Sequence, residues 1–147
     1  MIVIERQKEQ AEFIAFVTGG TYSTETGRFI GLEKKGKLVA VCGYTDYNGN
    51  SVQMHIALNG RFTYEFLRFC FDYAFNQLNV KRVVTVVDSA NKKSLKFSFN
   101  CGFQIEHIVK DAGVEEDLYI LSMYPFQCKL LNNDIIQRDN GRPCLMH

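Results

Sequence analysis

The stretch Val80-Lys81-Arg82-Val83-Val84-Thr85-Val86-Val87-Asp88-Ser89-Ala90-Asn91-Lys92-Lys93-Ser94-Leu95-Lys96-Phe97-Ser98-Phe99-Asn100-Cys101-Gly102-Phe103 decides the fold. Residues 80–87 hold the unbroken β-branched run Val83, Val84, Thr85, Val86 and Val87. Such a run marks an interior strand covered on both faces. Asn91 or Ser89 is placed to cap a short helix over residues 91–101, and Gly102 stands where a helix ends.

Upstream lies the most apolar helix of the chain. Glu65, Arg68, Asp72 and Asn76 make one solvated stripe, and Phe66, Leu67, Phe69, Cys70, Phe71, Tyr73, Ala74, Phe75 and Leu78 fill nearly all the rest. A helix apolar around most of its circumference is buried on more than one side. Thr63 is its expected cap. Residues 52–58 precede it as a strand. Strand, helix and strand in this order imply a right-handed crossover and a parallel pair.

Towards the N-terminus, residues 28–34, 38–44 and 52–58 read as three strands joined by the turns 35–37 and 46–50, an antiparallel meander. Residues 1–4 suggest a strand, and residues 7–17 a helix stopped by Gly19 and Gly20. Downstream, residues 104–110 and 118–124 are strands flanking the acidic turn 111–117. The order β-α-β-β-β-α-β-α-β-β predicts an α/β (α+β) domain with a mixed sheet of about seven strands and helices on both faces. Residues 1–125 are expected to form that domain. Residues 126–147 are expected to be a C-terminal extension, with a short helix or strand near 128–136.

Composition narrows the function. The 147 residues are 46% hydrophobic, carry a net charge of +1, and include 12 Phe, 7 Tyr and no Trp. The near-neutral balance speaks against a nucleic-acid partner, which needs a basic excess. Five cysteines without a CxxC pair suit reduced thiols in a cytoplasmic protein. Residues 1–20 carry Glu5, Glu9 and Glu12 and lack an apolar core, so no secretory leader is expected there, nor a membrane span anywhere. His55, His107 and His147 are scattered, and Cys144 with His147 makes an isolated pair, so no metal is expected.

Two strand-to-helix junctions can hold an anion on helix-start amides. The first is Asn59-Gly60-Arg61-Phe62-Thr63, where Gly60 permits close approach and Arg61 and Thr63 add donors. The second is Asn91-Lys92-Lys93-Ser94, with two lysines. Each also reads as an ordinary capped helix start.

The spacing Asn91-x-x-Ser94-x-x-Phe97-x-x-x-x-Gly102-Phe103 behind the valine strand resembles the N-x-x-S/A and G-F segment of GNAT-superfamily N-acetyltransferases. Residues 71–83 are similar to that family's preceding helix and strand, and the likeness covers residues 38–124. It is nearest to the ribosomal-protein N-terminal acetyltransferase branch and to GNAT proteins common in bacteriophages. The resemblance implies a mostly antiparallel sheet with one splayed parallel pair. It implies acetyl coenzyme A as co-substrate and direct transfer of the acetyl group to a primary amine, on a small molecule or a protein N-terminus. The protein would be a monomer or homodimer.

On this resemblance, Ile56, Ala57, Leu58, Gly60, Arg61, Thr63, Asn91, Ser94 and Phe97 would bind acetyl-CoA. His55 would be the base, with Tyr119 and Ser98 as further catalytic candidates. His55 can equally be a packed sheet residue with one hydrogen bond. The chain departs from the family at two points. The R/Q-x-x-G-x-G/A loop is replaced by the single-glycine segment 59–63, and Ser98 stands where many members carry a tyrosine acid. These departures leave two alternatives: a GNAT-fold binding or inhibitor protein of phage type, directed at a host protein, and acyl transfer to a nucleobase.

Overall fold

The computed structural model describes residues 1–59 and 63–132. Gly60, Arg61 and Phe62, and the tail with Pro143, Cys144 and His147, lie outside the described residues, as do residues 133–136 of the element expected near 128–136. Seven strands form one sheet: β1 (Ile2–Val3), β2 (Arg28–Lys34), β3 (Lys37–Thr45), β4 (Ser51–Leu58), β5 (Arg82–Asp88), β6 (Gln104–Val109) and β7 (Leu118–Met123). Their spatial order is β1-β2-β3-β4-β5-β7-β6. Every neighbouring pair is antiparallel except β4 and β5. The element order expected from the hydrophobic pattern is the order found.

Helix α1 (Gln7–Thr18) covers one face, over β2, β3 and β4. The Gln7 side chain pins it there like a strand partner. Its amide donates to the Phe29 carbonyl at 2.7 Å and its oxygen accepts the Phe29 N–H at 2.8 Å. Ala11 and Ile14 then bury against Phe29, Val41 and Ala57. On the opposite face, α2 (Tyr64–Asp72) and α3 (Lys92–Cys101) share one core with the strands. The apolar girdle of α2 explains this: Tyr64, Phe66, Leu67, Cys70 and Phe71 are all buried, and a π-helical turn, Tyr73–Gln77, carries Ala74 and Phe75 into the same core.

One expectation is corrected. The valine run of β5 is covered fully on one face only. Val83 and Val87 are buried beneath α2 and α3, whereas Val86 on the other face is 37% exposed. The physical reason is that α1 packs mainly on β2, β3 and β4, and among the described residues no other helix packs on that side of β5.

Gly102 ends α3 with φ 119, in the left-handed region that L side chains avoid. A Cβ there would lie 2.0 Å from the Gln127 carbonyl oxygen. The glycine therefore lets the chain after β7, a 3-10 turn (Pro125–Gln127) and the short α4 (Lys129–Asn132), fold back over α3. Cys128 and Leu130 are buried in the main core, and the Tyr64 hydroxyl donates to the Leu130 carbonyl at 2.9 Å.

Candidate active site

The parallel pair β4 and β5 is short. Ser51 pairs with Arg82, Val52 with Val83 and Gln53 with Val84, and the pairing stops there. Beyond it the strands part and a cleft opens. On the α3 face the opening is a cavity of about 60 Å³ lined by Met54, Ile56, Leu58, Thr85, Ser94, Phe97, Ser98 and Phe103. It continues into a cleft of about 540 Å³, whose walls include Tyr22, His55, Ile56, Leu58, Thr85, Asp88, Asn91, Lys93 and Ser94.

The sheet register decides which β4 groups face the cleft. The Asn59 N–H donates to the Val39 carbonyl at 2.8 Å, and Val41 lies opposite Ala57. Alternation along an antiparallel ladder then turns the main-chain groups of Ala57 and His55 toward β3, and those of Met54, Ile56 and Leu58 toward β5. Past Gln53, β5 has parted from β4 and no longer pairs with them. Ile56 and Leu58 thus offer both side chains and sheet-edge amides to the opening. Ala57 does not: its side chain is buried against α1 and its main chain faces Val41.

Both helix starts are capped by the residues singled out in the sequence. The Thr63 hydroxyl accepts the Phe66 N–H and the Asn91 side-chain oxygen accepts the Ser94 N–H, each at 3.2 Å. Asn91 and Ser94 also line the cleft, with Lys93 beside them, so α3 points its free amides at the opening. Thr63 marks the start of α2, whereas Gly60 and Arg61 just before it fall outside the described residues. Phe97 and Ser98 are buried on the inner side of α3 and wall the small cavity.

His55 stands on the α1 face of β4, at the mouth of the cleft. Its Nε2 lies 2.8 Å from the Thr45 hydroxyl, and its ring meets the Tyr22 ring edge to face at 5.3 Å. Partial burial holds its pKa below the ordinary imidazole value of 6.5, and the charge of Asp46 opposes that shift. Tyr119 is elsewhere. It pairs with Val87 and Ile108 and packs on the core of the opposite face, so the structure does not bring it to His55. His107 is exposed on β6.

Sequence reading missed four residues at the site: Tyr22, Thr45, Asp46 and Asp88. Asp88 ends β5 and accepts the amides of Glu115 at 2.8 Å and Ala90 at 2.9 Å. Those amides, Glu115 first, hold its carboxyl below the usual carboxylate range. Ser89 donates to the Glu116 carboxylate at 2.9 Å. The acidic turn is thereby fastened to the rim of the cleft.

Among the described residues no group of His, Cys, Asp or Glu is arranged to hold a metal, and no helix is long and apolar enough to cross a membrane.

Other solved structures share this architecture. The chain superposes on a single-residue variant of the spermidine N-acetyltransferase SpeG from Vibrio cholerae with a TM-score of 0.72 and 16% identity, covering 91% of this chain and 99% of that one. A SpeG structure from the same organism in complex with manganese ions gives a TM-score of 0.69 at 17% identity, covering 90% and 95%. No curated protein sequence matches. The profile of the acetyltransferase (GNAT) domain matches residues 4–104. The chain belongs to the GNAT family and is an acetyltransferase that moves an acetyl group to an amine.

Proposed function

We propose that the cleft between β4 and β5 takes acetyl-CoA and that a primary amine attacks its acetyl group directly, with His55 receiving the proton. The observation that carries this reading is the end of strand pairing at Gln53 and Val84. It leaves the inward main-chain groups of Ile56 and Leu58 facing open space beside an α3 N-terminus. An extended amide-bearing arm can add to such an edge as a strand would. Asn91, Ser94 and Lys93 stand where its anionic end would meet helix amides and a cation. A kept cleft of this shape supports catalysis over a binding module without chemistry.

Bound acetyl-CoA supplies an activated thioester carbonyl. The residues of the chain do the rest. Ile56 and Leu58 fix the arm by main-chain hydrogen bonds, which makes the reaction effectively intramolecular. His55, neutral near physiological pH, accepts the proton that the ammonium must lose before it can attack. Ser98 lines the cavity and can relay a proton to the departing thiolate; a thiolate also leaves without help.

We further infer a small cationic amine as acceptor. The rim carries Asp88 and the fastened acidic turn, and the structural neighbours named above are spermidine N-acetyltransferases. Three buried cysteines, Cys42, Cys70 and Cys128, are free thiols, which suits a reducing, cytoplasmic setting. Calorimetric titration with acetyl-CoA, followed by acetylation of polyamines and of short peptides, tests the reading. Saturable binding and transfer to the polyamine are expected; an absence of saturable binding overturns it.

A further inference from the structure

Thr45 and Asp46 stand behind His55 in a hydrogen-bonded line. The hairpin between β3 and β4 sets Thr45 opposite Gln53 and Gly43 opposite His55, so Thr45 is the diagonal neighbour of His55 on the same face. Gly43 has no side chain to compete. The Thr45 hydroxyl donates to the Asp46 carboxylate Oδ2 at 3.2 Å and lies 2.8 Å from His55 Nε2. A hydroxyl has one hydrogen. Spent on Asp46, it leaves Thr45 Oγ only as an acceptor, and Nε2 must then carry the hydrogen. Asp46 can reach back because it sits at φ 55, a left-handed conformation that Asp tolerates better than most residues.

We propose that Thr45 and Asp46 are positioning residues for His55, which fix the imidazole in its Nε2–H form and leave the lone pair on Nδ1 for the substrate proton. The inference rests on the reading of His55 as base. On proton uptake from the ammonium, Nδ1 gains one hydrogen and Nε2 keeps its own. The resulting imidazolium then donates to Thr45 while the Asp46 carboxylate balances its charge. The N–H bond formed at Nδ1 replaces the one the ammonium gives up, and no acyl bond to the protein forms. Elsewhere around the ring the titratable or charged groups are the Tyr22 phenol from the loop after α1, Asp88 from the end of β5 and Lys93 from the start of α3, all lining the same cleft.

The test reads the tautomer directly, by nitrogen NMR of the isotopically labelled full chain above the pKa of His55, and needs no turnover. The wild type is expected as Nε2–H. Thr45→Val, which keeps the shape and loses the hydroxyl, gives a mixture, and Thr45→Ser restores the wild-type form. Asp46→Gly, suited to the positive φ, deletes the acceptor and also gives a mixture, so the test survives a poorly folding Thr45→Val. In turnover, Thr45→Val lowers kcat about 10- to 100-fold with little change in the KM for amine, the size usual for partners that orient a reacting imidazole. A wild-type Nδ1–H tautomer overturns the inference, as does a Thr45→Val enzyme with wild-type kcat. Failure of the base reading looks different: His55→Ala then transfers acetyl groups undiminished.

Discussion

Gln53 and Val84 form the last rung between β4 and β5; Met54 and Thr85, the next residues outward, both line open space. Strands that part within a sheet leave main-chain donors and acceptors without a ladder, a costly arrangement unless water or a ligand satisfies them. The sheet remains stable because β5 is fully paired with β7 from Val83 to Asp88 and β4 with β3 up to Leu58.

The cleft can be closed from one side chain. Thr85 lines both the small cavity and the larger cleft. Thr85→Phe fills that space while preserving a β-branched strand's neighbours on β7. Its Kd for acetyl-CoA is expected to rise at least tenfold, about 1.4 kcal/mol, with an unchanged circular dichroism spectrum. Wild-type affinity in titration calorimetry would show that the acetyl donor binds elsewhere.

Asn91 serves the helix and the cleft, and two substitutions separate the roles. Asn91→Ala removes the acceptor for the Ser94 N–H, and thermal unfolding should show a loss of about 1 kcal/mol. Asn91→Ser keeps a cap and most of that stability. If the Asn91 amide also meets the acetyl donor, both variants bind acetyl-CoA more weakly. If only Asn91→Ala does so, the residue acts through the helix alone.

Gly102 is expected to tolerate no side chain. Gly102→Ala must adopt a left-handed φ, which costs about 1–2 kcal/mol by itself. Its Cβ would also collide with the backbone of Gln127 rather than with a movable side chain. Denaturant unfolding should therefore show a loss of at least about 2 kcal/mol. A loss below 1 kcal/mol would mean that the turn after β7 can move away from α3.

The local part of this architecture is legible in the sequence. Val83 to Gly102 announces a strand, a capped helix and its stop through side-chain branching, capping chemistry and a positive φ, all of which act within a few residues. Asn91 and Ser94, which line the cleft, could be pointed to through the family-like spacing that follows this strand. Thr45 could not, because its meeting with His55 depends on the register of a hairpin whose turn, residues 46–50, admits several pairings. The 5.3 Å contact of Tyr22 with His55 crosses from a loop without periodicity. The exposed face of Val86 escaped as well, since a valine run does not reveal where a neighbouring helix ends. Tyr119, reasonable as a catalytic group by type, was sent to the opposite face by strand alternation alone.

The pH dependence follows from the burial of His55. Its folded-state pKa lies below 6.5, the value it regains on unfolding, because burial outweighs the pull of Asp46. The unfolded chain therefore binds the proton first. Stability rises with pH between the folded pKa and the unfolded one, and is lost as pH falls through that window. For activity, kcat/KM should rise with pH through an apparent pKa below 6.5, since only neutral imidazole can accept the ammonium proton. Asp46→Asn removes the charge that favours imidazolium, so its limb should move to still lower pH. His55→Ala should lose this limb and about 100-fold or more in rate near neutrality. A limb that stays in place in His55→Ala would assign the titration to another group.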